Sequence, residues 1–68
     1  MELNVLAGQN IRKRRLAAGL TQEQLAHLGH TTSVYISQIE NGRRNPTLAI
    51  LGELAAALGV RAADLLEE

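Results

Sequence analysis

Cysteine, tryptophan and phenylalanine are all missing from this chain of 68 residues, which has a single tyrosine, Tyr35, and a single proline, Pro46. Without cysteine there is neither a disulfide framework nor a thiolate metal site, so nothing in the chain calls for an oxidising compartment. The shortage of aromatic and β-branched side chains removes the composition that strands favour. No apolar stretch approaches the roughly 20 residues of a membrane-spanning helix. The opening MELNVLAG also lacks the basic region and apolar core of a secretory signal. A soluble protein of the cytoplasm, with no membrane partner, is the expectation. Net charge is lacking too: seven Lys and Arg balance seven Asp and Glu, a sum that by itself argues against a nucleic-acid partner.

What is present is apolar and helical in character. Leu, Ala, Ile and Val make up almost all of the 46% hydrophobic fraction, and Ala and Leu are strong helix formers. The length suits one domain, residues 1–68, with a small core. The charges are also unevenly placed. Arg12, Lys13, Arg14 and Arg15 are consecutive and Arg43 and Arg44 adjoin, whereas Glu67 and Glu68 put acid at the far end. A neutral molecule of this kind can still present one positive face.

Start and stop residues divide the chain into five short helices, an all-α fold. The first is expected over about Asn4 to Ala18, stopped by Gly19. Thr21 and Gln24 form a candidate capping box for a second, running through Leu25, Ala26 and Leu28 to about Gly29. Thr32 caps a third from Ser33 to about Asn41, with Gly42 as the stop. Thr47 caps a fourth with Leu48, Leu51, Leu54, Ala55 and Leu58 on one stripe, ended by Gly59. A fifth is expected over Arg61 to Leu66. In the third helix, steps of 100° place Ile36 and Ile39 on one side, flanked by Tyr35 and Glu40. Ser33, Val34, Ser37, Gln38 and Asn41 gather on the other. That second face is small and polar and carries no Lys or Glu, which is unusual for a helix that only meets water.

Two short helices joined by about four residues form the helix-turn-helix arrangement, in which the second helix enters the DNA major groove. The groove is about 12 Å wide and admits a helix with small and amide side chains. Gln38 is the side chain best equipped for a specific contact, because its amide can pair bidentately with adenine N6 and N7. Ser33 and Ser37 can exchange single hydrogen bonds with base edges, and Val34 can pack on a thymine methyl. No Gly-rich phosphate loop, metal-ligand cluster or Ser-His-Asp arrangement is present, so an enzyme is not expected, nor any cofactor or small-molecule ligand.

The order of residues resembles a known family. Thr21-Gln22-Glu23-Gln24-Leu25-Ala26, Thr31-Thr32-Ser33 and Ile36-Ser37-Gln38-Ile39-Glu40-Asn41-Gly42 are similar to the lambdoid phage repressor and Cro class of helix-turn-helix proteins, the XRE-like family. The likeness extends through Arg44-Asn45-Pro46 and Leu54 to Val60, and back to Ile11-Arg12 and to Arg15 through Leu20. Tyr35 to Glu40, Gly42 and the Arg44-Asn45-Pro46 loop look particularly like the restriction-modification controller proteins. The resemblance implies a five-helix repressor-like domain that regulates transcription by binding double-stranded DNA. It implies that Gln22 clamps a phosphate with the amides at the start of the second helix, and that Arg43 and Arg44 approach the backbone beyond the recognition helix. It further implies a largely buried ion pair between Arg15 and Glu40, in which loss of one partner would cost about 3 to 5 kcal/mol. Arg12 and Arg14, with Thr32, complete the expected phosphate contacts. Two readings are open for Tyr35: a phosphate contact through its hydroxyl, or a seal at the edge of the third helix.

His30 departs from the family, which commonly has Gly at this turn position; a left-handed backbone there costs another residue roughly 1 kcal/mol. His27 and His30 lack a nearby Cys or acid in sequence, so metal is not expected. Arg61 stands where a Ser or Thr cap would be expected, which predicts a frayed last helix. A chain this small reads only a few base pairs, which points to a two-fold homodimer on a palindromic operator. Leu58, Val60, Leu65 and Leu66 are the candidate interface, or alternatively an intramolecular cover for the core. The competing functional reading is an antitoxin-like or protein-interaction module whose third helix does not touch DNA.

Overall fold

Three threonines open three of the helices. Their hydroxyl oxygens accept backbone N–H groups that a helix start leaves unpaired: Thr21 from Gln24 at 3.0 Å, Thr32 from Tyr35 at 3.2 Å and Thr47 from Ile50 at 3.1 Å. At the first, the Gln24 side chain returns the favour to the Thr21 N–H at 2.8 Å, completing the capping box. The computed structural model describes residues 2–68; Met1, the first residue of the expected domain span, lies outside the described residues. Four α-helices occur among them: α1, Leu3–Ala17; α2, Gln22–Leu28; α3, Ser33–Glu40; and α4, Leu48–Leu58. Gly19, Gly42 and Gly59, the expected stops, all have φ near +70°.

The fifth helix is not an α-helix. Ala62–Leu66 forms a 3-10 turn, so the fold has four α-helices and this turn instead of five helices. The hydrogen bonding of the segment shows the difference. The Asp64 N–H donates to the Arg61 carbonyl at 2.9 Å, the tighter i to i+3 closure. Asn10 Nδ2 donates to the carbonyls of Leu65 at 2.9 Å and Glu67 at 2.8 Å, which anchors the end of the turn to α1. The start of the turn is held by Asp64, whose carboxylate accepts both the Arg61 N–H and its guanidinium. Arg61 therefore needs no hydroxyl of its own to anchor this segment.

Ile11, Leu25, Ile36, Ile39, Leu54 and Leu65 are fully buried and form the centre of the core with Ala26, Leu51 and Ala55. Burying side chains of this size gives about 1.5 to 3 kcal/mol each, which explains how the seven-residue α2 persists despite being too short to stand alone. α1 packs on α3 and on the C-terminal turn, and α2 bridges α3 and α4. The α1–α3 contact depends on Gly8, where an added Cβ would lie 2.1 Å from the Ile39 carbonyl oxygen. Leu48 leaves its expected place on the buried stripe of α4: it is 86% exposed. As the first residue after the Thr47 cap, it projects from the end of the core, where it borders an apolar groove with Leu3, Leu51 and Leu66. Among the described residues no helix is long and apolar enough to cross a membrane.

Candidate DNA-binding surface

The two sides of α3 divide between core and surface. Ile36 and Ile39 are 0% exposed, whereas Val34 is 65% exposed and Asn41 also faces solvent. Ser33, Ser37 and Gln38 are partly covered at the margin of that outer face. Thr32 sits at its opening. The Thr32 hydroxyl oxygen is engaged by the Tyr35 N–H, while its hydrogen remains available for an external acceptor.

Glu40 lies at the centre of the frame behind this face. Its two carboxylate oxygens receive Arg15 Nε at 2.7 Å and Arg15 Nη2 at 3.0 Å, a bidentate pair whose side chains are 10% and 3% exposed. Arg15 Nη1 also donates to the Leu20 carbonyl at 2.9 Å. The hydrogen bond to Glu40 raises the Arg15 pKa above its ordinary value, with burial opposing. The guanidinium thus ties the end of α1 to α3 and to the approach of α2. Gln22 joins the same carboxylate through Nε2, 3.1 Å from Glu40 Oε1. One amide hydrogen of Gln22 is committed there, and its other hydrogen and its carbonyl oxygen remain for a ligand.

The turn between α2 and α3 carries the expected left-handed residue at His30, φ 59°. Gly29 does not take over this conformation, with φ −91°. It is required for space, since a Cβ there would meet Leu54 Cδ2 at 2.7 Å. His30 Nδ1 lies 3.0 Å from Glu53 Oε2, so the exposed turn is linked to α4. Beyond α3, the loop returns Arg44 over the helix: its guanidinium carbon is 4.6 Å from the centre of the Tyr35 ring. Nη1 of Arg44 donates to Gln38 Oε1 at 3.2 Å.

The remaining basic residues are dispersed. Arg12, Lys13, Arg14 and Arg43 are exposed. The Asp64 carboxyl is held below its ordinary range by its hydrogen bonds from Arg61, with the charge of Arg14 the smallest contribution. Among the candidate interface residues, Leu65 is 0% exposed and belongs to the core of its own chain, which removes it from the surface available to a second copy. Leu58, Val60 and Leu66 are half-buried. Among the described residues no group of three His, Cys, Asp or Glu could hold a metal ion.

Residue identity alone did not reveal four of these contacts: Gln22 on Glu40, His30 on Glu53, Asn10 on the last turn, and Arg44 on Tyr35 and Gln38. Only the last had a partial signal, the three-residue spacing of Tyr35 and Gln38 that places them side by side on a helix.

A short capped helix leading through a tight turn into a second helix, whose outer face is small, polar and free of the core, defines a helix-turn-helix DNA-binding protein. The chain belongs to the helix-turn-helix family, whose profile matches residues 11–65. It is a sequence-specific DNA-binding transcriptional regulator. It is 43% identical over 65 residues to the HTH-type transcriptional regulator y4dJ of Sinorhizobium fredii, covering 96% of this chain and 84% of that protein. The restriction-modification controller protein C.AhdI from Aeromonas hydrophila has the same fold, with a TM-score of 0.88 and 39% identity over 91% of this chain and 94% of that one. The P22 c2 repressor, solved in complex with a synthetic operator, matches with a TM-score of 0.86 and 30% identity over 98% of this chain and 97% of its own.

Proposed function

We propose that this regulator binds a palindromic operator as a homodimer, with α3 of each copy in the major groove. The observation that carries the reading is the sidedness of α3: Ile36 and Ile39 are sealed in the core, and Val34 stands out beside Ser33, Ser37 and Gln38. Those four residues read base edges. Gln22, through its remaining amide hydrogen, binds phosphate beside the first amides of α2, and Thr32, Tyr35, Arg43 and Arg44 bind it around α3. Arg12 and Arg14, both exposed, add charge from α1. The operator-bound P22 c2 repressor and the controller C.AhdI, both similar along nearly their whole length, support this assignment.

One copy presents one recognition helix, and a two-fold pair would set two of them about 34 Å apart, one turn of the duplex. Leu58, Val60 and Leu66 supply apolar surface for such a pair, and the groove between Leu66 and the exposed Leu3 and Leu48 extends it. Repression follows where the operator overlaps a promoter. Titration with duplex DNA at low salt, in parallel with sedimentation at micromolar concentration, tests the reading. A retarded complex that is weakened by Gln38→Ala, formed by a dimer, is the expected result. No complex, with Gln38→Ala indistinguishable from the parent, would sink it in favour of a protein-interaction module.

A further inference from the structure

Arg44 reaches the base-reading side of α3. The loop that brings it there turns at Gly42, φ 71°, and is pinned by the Arg43 N–H donating to the Gln38 carbonyl at 2.9 Å. The guanidinium then covers Tyr35 at 4.6 Å and donates to the Gln38 side chain at 3.2 Å. A cation over an aromatic face and a charge-assisted hydrogen bond act together on one group. Arginine has five donors and no acceptor. The end of the Gln38 amide that meets it is therefore the oxygen, and the nitrogen has no hydrogen-bond partner among the described residues.

We infer that Arg44, stacked on Tyr35, is a positioning residue that sets the orientation of Gln38 and so makes it read guanine in place of adenine. The inference rests on the proposal that α3 lies in the major groove. A free glutamine pairs with adenine by giving a hydrogen to N7 and accepting one from N6, which needs both ends of the amide. Arg44 takes one of the two lone pairs of the oxygen and covers that end of the amide, so the two N–H groups are the part of Gln38 that is wholly free for the groove. Guanine presents two acceptors, O6 and N7, and satisfies both. Adenine would satisfy one at N7 and set its own amino group against that of Gln38. Thymine offers one acceptor, O4.

Selection of bound sequences from a random duplex pool, carried out with the parent protein, Gln38→Ala and Arg44→Ala, tests this. The base pair whose preference disappears in Gln38→Ala marks the position that Gln38 reads. Guanine is expected there for the parent, about tenfold over adenine. Arg44→Ala should move that one position toward adenine and leave the others as they were. Tyr35→Leu, which keeps the Arg44 charge and removes the ring beneath it, should move the same position part of the way. Adenine selected by the parent, or guanine retained by Arg44→Ala with a uniform loss on every sequence, would overturn the inference and leave Arg44 as a phosphate contact alone, with no part in orienting Gln38. An enriched operator in which no position responds to Gln38→Ala overturns it as well, without touching the placement of α3. A pool with no enrichment overturns both.

Discussion

His30 holds a backbone angle, φ 59°, that side chains other than glycine adopt at a cost of roughly 1 kcal/mol. Its contact with Glu53 is solvent-exposed, and exposed pairs contribute at most about 1 kcal/mol. The two effects can be separated by comparing His30→Gly with His30→Ala, both of which lose Glu53, while only the glycine relieves the strain. His30→Gly should be the more stable by about 1 kcal/mol in denaturant unfolding; equal midpoints would show that the turn is not strained. The same scale explains why residue types alone identified Thr21, Thr32 and Thr47 as caps. A cap is a local event between a hydroxyl and an N–H three residues on, so the positions of Gln24, Tyr35 and Ile50 are implied by the chain itself. Gln22 is different. Its bond spans 18 residues, to a Glu40 carboxylate that Arg15 also holds.

Among the elements, the α1–α3 crossing is the contact with least tolerance. The atoms facing Gly8 are backbone, the Ile39 carbonyl oxygen at 2.1 Å and the Glu40 Cα at 3.3 Å from a built Cβ, and neither can rotate away. Gly8→Ala should therefore force the helices apart and cost about 3 kcal/mol or more, at the upper end of overpacking effects. It should also disturb the nearby Arg15–Glu40 pair. Thermal unfolding checks this, and a melting temperature unchanged by the methyl would refute the close crossing. The pattern of apolar residues indicated which side of α3 meets the core, since helical periodicity is carried by the sequence. It gave no warning that glycine was needed at position 8 for clearance, because the neighbour lies 31 residues away. The C-terminal segment shows the limit of local reading. Arg61 to Leu66 has helix-forming residues, yet the segment closes at i to i+3 and is tied to α1 through Asn10, a partner more than 50 residues away.

On the scale of the whole molecule, a net charge of zero conceals exposed arginines around α1 and the loop after α3. Binding to DNA through such residues releases condensed counterions, so affinity should fall steeply with salt. Arg43 is exposed and stands beside the recognition helix. Arg43→Ala should weaken binding on all sequences alike and reduce the slope of log affinity against log salt by about 1 for each phosphate contact removed. Fluorescence anisotropy titrations at several salt concentrations measure that slope, and an unchanged value would place Arg43 away from the duplex. The contrast with Arg44 is instructive. The two residues adjoin in sequence, but only Arg44 is folded back onto Tyr35 and Gln38.

The sequence by itself determined the all-helical class, the three threonine caps, the glycine stops and the inward face of α3. All depend on neighbours within one or two helical turns, where side-chain chemistry and periodicity suffice. Only the tertiary structure decided that the last segment is a 3-10 turn, that Leu65 is core and Leu48 surface, that Gln22 leans on Glu40, and that Arg44 grips the amide of Gln38. Each of these turns on which groups meet after the chain has closed on itself, and such meetings are set by packing across the fold, beyond the reach of local propensity.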